Sequence, residues 1–561
     1  MRIGRRAATR EMMKKTMELT LLGRTAIGLA CLALTACGGG SDGGNTGSNG
    51  GSTGGTTTPP PVAAAPEVKL LSGGVTRYAA QSAPVAFDVQ IKPSFTPAGT
   101  LVVTASDKAG VIGQQVGVTA GTDGSYVLSL ATVTDTPPGH YTGDITLKLC
   151  ADQACATPQT VPSMTVPYDV TVLGSGTAWP GDHLTALTPW TDVPDWSNFQ
   201  GNAAHTGYVP VEIKPEQLLP RWKMGALSQV SNYYSAYTAT LVAADGIFYA
   251  AGSNQLKARK EYDGSTVWSY DVSTMANPAV NPPAVANGIV YMGAGQQPTT
   301  VFGFDAASGA VRFRAPVGSQ WGFGSMTAVA VDDAAYTNGT YGGLYGISAA
   351  GEPMFVANVS QNALSIPAVD ANAAYLFDGT LQVIDRKTGK LLSSARDGSN
   401  AYTFQMGGAP VLGAPGSLFV ARYGNASTYG GTNGNELLRF NIAKSYVDWR
   451  IPGNYALTPA YASGVVYAPN TNPYRVEARG ETDGALQWSW TPPQAAEVSW
   501  VAEPLVTKNL LFVSTNVATY AIDLRSHKTV WSYPAAGKLA LTRSGILYIQ
   551  NADALVAFNV K

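Results

Sequence analysis

The chain has 561 residues, with 36 Lys and Arg against 37 Asp and Glu and a formal net charge of -1, so it lacks the basic excess that general nucleic-acid binding requires. Charged residues make up only 13% and there are 62 Gly, a balance that suits a turn-rich all-β chain with polar neutral residues on much of its surface. The length allows several domains, or one large repeat domain with attachments.

In chain order the first element is an export leader. Arg2, Arg5, Arg6, Arg10, Lys14, Lys15 and Arg24 precede an apolar run from Ala26 to Ala36, and the length of the basic part leaves Met12, Met13 or Met17 as alternative starts. The run is too short to span a bilayer comfortably, and Gly38-Gly39-Gly40 follows at once. Leu34-Thr35-Ala36-Cys37 resembles the bacterial lipobox. That resemblance implies removal of residues 1–36 and lipidation of Cys37, and Gly38 after the Cys implies the outer membrane, facing the periplasm or the cell surface. Acyl chains at about 0.8 kcal/mol per buried CH₂ make such an anchor effectively permanent. Residues 37–65 are Gly, Ser, Thr, Asn and Pro with almost no apolar residue, a tether with an r.m.s. reach of roughly 30 Å.

Residues 66–174 alternate in short strands: Val85–Ile91, Thr100–Thr104, Tyr126–Leu130, Tyr141–Leu149 and Tyr168–Val172. Turn signals at Pro97-Ala98-Gly99, Asp123-Gly124 and Pro137-Pro138-Gly139 separate them, and the pattern reads as an immunoglobulin-like β-sandwich. Cys150 and Cys155 stand at the end of the Tyr141 strand. In an exported chain a disulfide is the natural reading, and a redox or metal pair would need further ligands, none of which lies nearby. Residues 175–198 are a linker and entry segment.

From residue 199 to 561 one pattern returns eight times: a small residue or turn, two apolar residues and an aromatic. The aromatics are Tyr249, Tyr291, Tyr336, Tyr375, Phe419, Tyr467, Phe512 and Tyr548, spaced 36 to 48 residues apart, the period of a propeller blade. A strand and a tight turn follow each copy, as in Asp263-Gly264 before Trp268 and Asp305 to Gly309 before Phe313. A further strand signal precedes each copy, as in Pro283-Ala284-Val285. Four strands per repeat predict an all-β fold, an eight-bladed propeller preceded by the small sandwich. The eighth copy ends at Lys561 before its fourth strand, and Leu219–Met224 is available upstream to close the ring. Trp268, Trp449, Trp488 and Trp531 are expected between neighbouring sheets.

This Gly-x-x-Tyr strand followed by Asp-x-x-Ser/Thr-Gly-x-x-x-Trp resembles the repeat of quinoprotein (PQQ-type) β-propellers. Asp195 to Tyr208 resembles the segment that enters their first blade. The family includes dehydrogenases and binding scaffolds, so the resemblance implies fold more than function. In architecture the chain is also similar to the propeller lipoproteins of the outer-membrane β-barrel assembly machinery, which lack quinone chemistry.

Quinone catalysis in this family implies a vicinal Cys pair, a Trp floor, and Glu, Asn and Asp around Ca²⁺. No vicinal pair is present and the propeller holds no Cys. His140, His183, His205 and His527 show no metal-ligand spacing; His527 stands where other repeats have the hairpin Gly, so exposure is expected. Asp332-Asp333 reads as a turn. No catalytic or metal-binding residue is therefore expected. One constellation remains: Tyr237, Tyr455 and Trp500 lie twelve residues before a strand-centre aromatic, and Trp321, Phe323, Tyr402 and Phe404 fall in the corresponding connections of other blades. They either cap the blade cores or ring one mouth of the channel to face a ligand, with Glu503, Gln405 and Asn454 near enough to orient it.

The expected function is a non-enzymatic, lipid-anchored envelope scaffold whose propeller holds a protein or glycan partner, with no cofactor. The alternative is a periplasmic alcohol or sugar dehydrogenase using PQQ and Ca²⁺, with Trp321 or Trp500 as its floor. In a third reading the sandwich is the binder, by strand addition at its edge.

Overall fold

The structure is a computed structural model that describes residues 65–561, apart from 98, 151, 153, 157–160, 228–240, 253, 276–277, 296–298, 319–325, 340–341, 360–365, 399–407, 423–434 and 456. Among the described residues it is built of strands, with two three-residue 3-10 turns as its only helical elements. Ala65–Lys561 forms one compact unit.

The first eight strands make two four-stranded sheets over one core. They are β1 (Val68–Leu70), β2 (Val75–Ala80), β3 (Ala86–Pro93), β4 (Val102–Ser106), β5 (Gly117–Ala120), β6 (Tyr126–Ala131), β7 (Gly139–Cys150) and β8 (Met164–Leu173). The sheet orders are β1-β3-β6-β5 and β2-β8-β7-β4. Along β3 every second residue is buried, the period-two alternation that lays one face on a core and leaves the other to water. Phe87, Ile91 and Leu130 of one sheet meet Leu147, Val166 and Val170 of the other. The short strands β1, β2 and β5 escape a reading of the sequence because they carry little alternation. Cys150 and Cys155 are joined by a disulfide with their Cα atoms 5.0 Å apart.

Residues 219–559 form eight four-stranded sheets among the described residues. Numbered as blades 1 to 8, seven are local meanders spanning 242–271, 284–317, 329–357, 368–396, 411–452, 460–490 and 505–533. The eighth joins 538–559 to β9 (Leu219–Gly225), which pairs antiparallel with Ala554–Asn559. The closing strand therefore comes from the start of the repeat region, as its apolar pattern predicts. The first strands of successive blades lie against one another, except that blades 4 and 5 meet through their outer strands, and the first strand of blade 8 lies against that of blade 1, so the ring is closed.

Neighbouring blades are locked by an aromatic ring set on a glycine. Each hairpin before an outer strand needs a left-handed residue, and glycine takes that conformation without strain. Gly309 has φ 74°, and a Cβ there would stand 2.5 Å from the Trp268 ring. Phe313 covers Gly351, Phe355 covers Gly389 and Trp449 covers Gly484 in the same way, and at Gly264 the Met224 methyl lies over the glycine with the Trp222 ring beside it, 3.4 Å from where a Cβ would stand. The indoles of Trp222, Trp268 and Trp449 also donate to the carbonyls of Glu261, Ala306 and Glu481, each three residues before the covered glycine. Trp268, Trp449 and Trp488 are thus wedged between blades but only half-buried, while Trp531 is fully buried. His527 replaces the glycine in blade 7; it is exposed, and Trp488 stacks on it at 4.5 Å.

The sandwich sits on the edge of blade 7. The Ala80 N–H donates to Ser532 Oγ at 2.8 Å, Arg525 pairs with Asp88 at 3.2 Å, and Ala80 and Ala83 share a core with Leu511 and Tyr520.

Candidate functional site

The segment expected only to lead into the first blade is the hub of the ring. Running through residues 196–207, it offers a backbone or side-chain oxygen to each of seven blades in turn. The carbonyls of Trp196, Ser197, Ala203, Ala204, Thr206 and Gly207 accept from the N–H groups of Ala243, Val285, Val369, Leu412, Tyr461 and Val506, at 2.7 to 3.0 Å. Blade 3 is reached by the Asn198 amide, which accepts from Ala330 N at 2.7 Å and donates to its carbonyl at 3.0 Å. All these partners lie on the first strands of their blades, whose inner edge would otherwise carry unpaired N–H groups. The boundary read at residue 199 thus falls inside a continuous element. Its signal in the sequence is weak because a rim-following segment has neither helical nor strand periodicity.

Phe199, Gln200 and His205 fill the centre and are buried. Gln200 and His205 hold left-handed backbone, φ 50° and 58°. His205 Nδ1 lies 3.0 Å from the Pro410 carbonyl, which can only accept, so the proton sits on Nδ1. Nε2 is left as a buried acceptor without a partner, and burial pushes the imidazole down to about 4.

Of the aromatics singled out in the sequence, Tyr237, Trp321, Phe323, Tyr402 and Phe404 lie outside the described residues. Tyr455 and Trp500 are described and do not face an open mouth. Tyr455 is fully buried with its hydroxyl donating to Glu477 at 2.8 Å. Trp500 is 7% exposed, donates to the Asn470 carbonyl at 2.9 Å and lies against Tyr474 at 4.6 Å. For these two the structure replaces a ligand-facing role with capping of the blade core, because each polar tip finds its partner inside. Glu503 pairs with Lys538 at 3.2 Å, Asn454 accepts from Asn435 at 3.3 Å, and Gln405 lies outside the described residues. Asp332 takes the left-handed turn expected of it, φ 53°, and pairs with Arg386.

The most buried charged groups of blades 5 and 6 and of the strand end of blade 4 are paired. Buried Arg422 bonds Asp397 at 3.0 Å and Glu436 at 2.5 Å. Glu477 is pushed up by burial but held below its ordinary range overall by hydrogen bonds from Tyr455, Arg475 and Arg479. Carboxylates saturated in this way hold a fold together and are poor proton carriers. Among the described residues no group of three His, Cys, Asp or Glu is placed to hold a metal ion. With Tyr474 against its ring, Trp500 does not fit as the floor of a flat cofactor, and Trp321, the other candidate floor, lies outside the described residues.

A family model described as outer membrane protein assembly factor BamB matches residues 220–349 and 299–533. No curated protein matches the chain. Among solved structures, BamB from Moraxella catarrhalis is similar at 14% identity and a TM-score of 0.48, over 61% of this chain and 99% of that one. A chain of the mitotic checkpoint complex aligns at 10% identity and 0.38, over 68% and 98%. The Pan2 WD40 domain of Neurospora crassa aligns at 9% and 0.33, over 51% and 89%.

Proposed function

This chain belongs to the family of the outer membrane protein assembly factor BamB, whose model spans more than half of it, and from that premise we propose that it is a non-enzymatic, lipid-anchored scaffold of the bacterial envelope. Its propeller holds a protein or glycan partner, and Cys37 carries the lipid. The observation that carries this reading is the way the ring is fastened. A hub bonded to seven blades and an eighth blade closed by β9 leave a rigid frame whose outward loops are free to vary, the arrangement recognition favours. The paired state of the buried carboxylates Asp397, Glu436 and Glu477 supports a role without proton transfer. We read the sandwich as an immunoglobulin-like module: with β1 and β2 taken as halves of one strand, its sheet orders match the A-B-E-D and C-F-G sets of that fold.

Two measurements test the reading. Deleting the gene in its host is expected to lower the level of folded outer-membrane β-barrel proteins, and a Cys37→Ser chain is expected to leave the membrane fraction and fail to restore them. Titration of the purified unit with PQQ and Ca²⁺, followed by a dye-linked oxidation assay, is expected to give neither heat nor turnover. Unchanged barrel levels, or PQQ binding with turnover, would overturn the proposal.

A further inference from the structure

At one junction both halves of the lock between blades, the ring and the glycine, are missing. Where blade 4 would present its ring it has Ser393, and where blade 5 would present the covered glycine it has Ser445, at φ 56°. Without a ring between them the outer strands of blades 4 (Leu391–Arg396) and 5 (Tyr446–Pro452) approach each other. Arg450 then stitches them by donating to the Asp397 carbonyl at 2.6 Å. The two hairpins that precede these strands become one surface.

That surface combines two features. Leu391 and Leu392 are 51% and 53% exposed and Tyr446 is 44% exposed, side chains that a rim facing only water does not favour. Around them stand Lys387, Lys390 and Lys444, all exposed, and none of their ammonium groups has an ion-pair partner among the described residues. The nearest acid on the blade 4 hairpin, Asp385, is held by Thr388 at 2.8 Å within its own turn. Other hairpins carry less of this combination: that of blade 2 has Ala306, Ala307 and Ser308, that of blade 6 the acidic Asp483, and Arg525 of blade 7 is paired with the sandwich, while that of blade 1 sets the exposed Lys260 and Tyr262 beside Asp263.

We propose that the joined rim of blades 4 and 5 is a contact site for an anionic phospholipid surface, with the three lysines over the headgroups and Leu391, Leu392 and Tyr446 in the interface. Charge complementarity and the Leu, Tyr and Lys composition point to lipid. Both apolar groups stand at hairpin ends, which suit a deformable surface better than a shaped protein partner. The chain as a whole is not basic, with a formal net charge of -1, so the attraction is local. The contact would give the tethered body a fixed orientation on the membrane. It rests on the envelope location proposed above, but purified protein and vesicles test it separately from that location.

The test uses the compact unit Ala65–Lys561, which lacks the acyl anchor, in flotation with vesicles of phosphatidylcholine alone or mixed with phosphatidylglycerol. Binding is expected only to the mixed vesicles, lost on raising salt from about 0.05 to 0.5 M as the Debye length shrinks. Lys387→Gln, Lys390→Gln and Lys444→Gln are each expected to weaken it about fivefold. A triple control, Lys69→Gln, Lys148→Gln and Lys214→Gln, is expected to leave it unchanged, and all variants should keep the parent melting temperature because the sites are exposed. Leu391→Ser with Leu392→Ser is expected to weaken binding that survives intermediate salt. Absence of binding to anionic vesicles, equal losses in both lysine sets, or capture of an acidic protein in place of vesicles would overturn the proposal.

Discussion

His205 carries its proton on Nδ1, has no partner for Nε2 and is fully buried on the hub. Its folded pKa of about 4 lies below the ordinary value of 6.5, so protons bind the unfolded chain more readily. Its contribution to stability is whole above about pH 6.5 and is lost as pH falls through about 4, by up to about 3 kcal/mol. Glu261 acts in the opposite sense: burial raises its pKa, so its contribution is present at acid pH and lost as pH rises through its folded value. Denaturant titrations of the parent and His205→Gln at a series of pH values separate the two. The parent is expected to lose about 3 kcal/mol more than the variant between pH 7 and 4, and parallel profiles would contradict the burial of an uncharged imidazole.

At the scale of the blade, the ring set on a glycine is the unit that repeats. Gly309→Ala places a methyl group against Trp268 in a left-handed backbone and is expected to cost about 2–3 kcal/mol in denaturant unfolding. Ser445 has the same left-handed backbone with no ring above it, so Ser445→Gly is expected to stabilise by about 1 kcal/mol. Equal effects of the two changes would mean that backbone strain, and not the ring, sets the glycine preference. The two departures from the repeat, Ser393 and Ser445, are readable in the sequence one at a time. That they face each other across one junction, and so bring two outer strands together, depends on which blades are neighbours.

The whole ring depends on two segments that precede its repeats. A chain that begins after Gly225 lacks both the hub and β9, leaving the edge of Ala554–Asn559 and the inner N–H groups of seven blades without partners. Compared with a chain that begins at Asp195, it is expected to melt on the order of 10 °C lower and to aggregate. Equal melting temperatures would mean that the blades close without them. The position of the sandwich belongs to this scale too, since Ala80 meets Ser532 and Asp88 meets Arg525 across more than four hundred residues of sequence.

Much of the fold is legible in the chain because a repeat states its instructions eight times. The strand-centre aromatics from Tyr249 to Tyr548, the turn glycines and the Trp222 strand each follow from local sterics or from alternation, which act over a few residues. The Cys150 to Cys155 bond is legible for the same reason, its partners being five residues apart. What tertiary structure alone decided is what meets across the ring. Tyr455 and Trp500 became caps because Glu477 and the Asn470 carbonyl happen to lie within reach, and residues 196–207 became a hub because seven inner edges needed acceptors at once. Such partners are set by closure of the ring, and no local pattern in the sequence carries them.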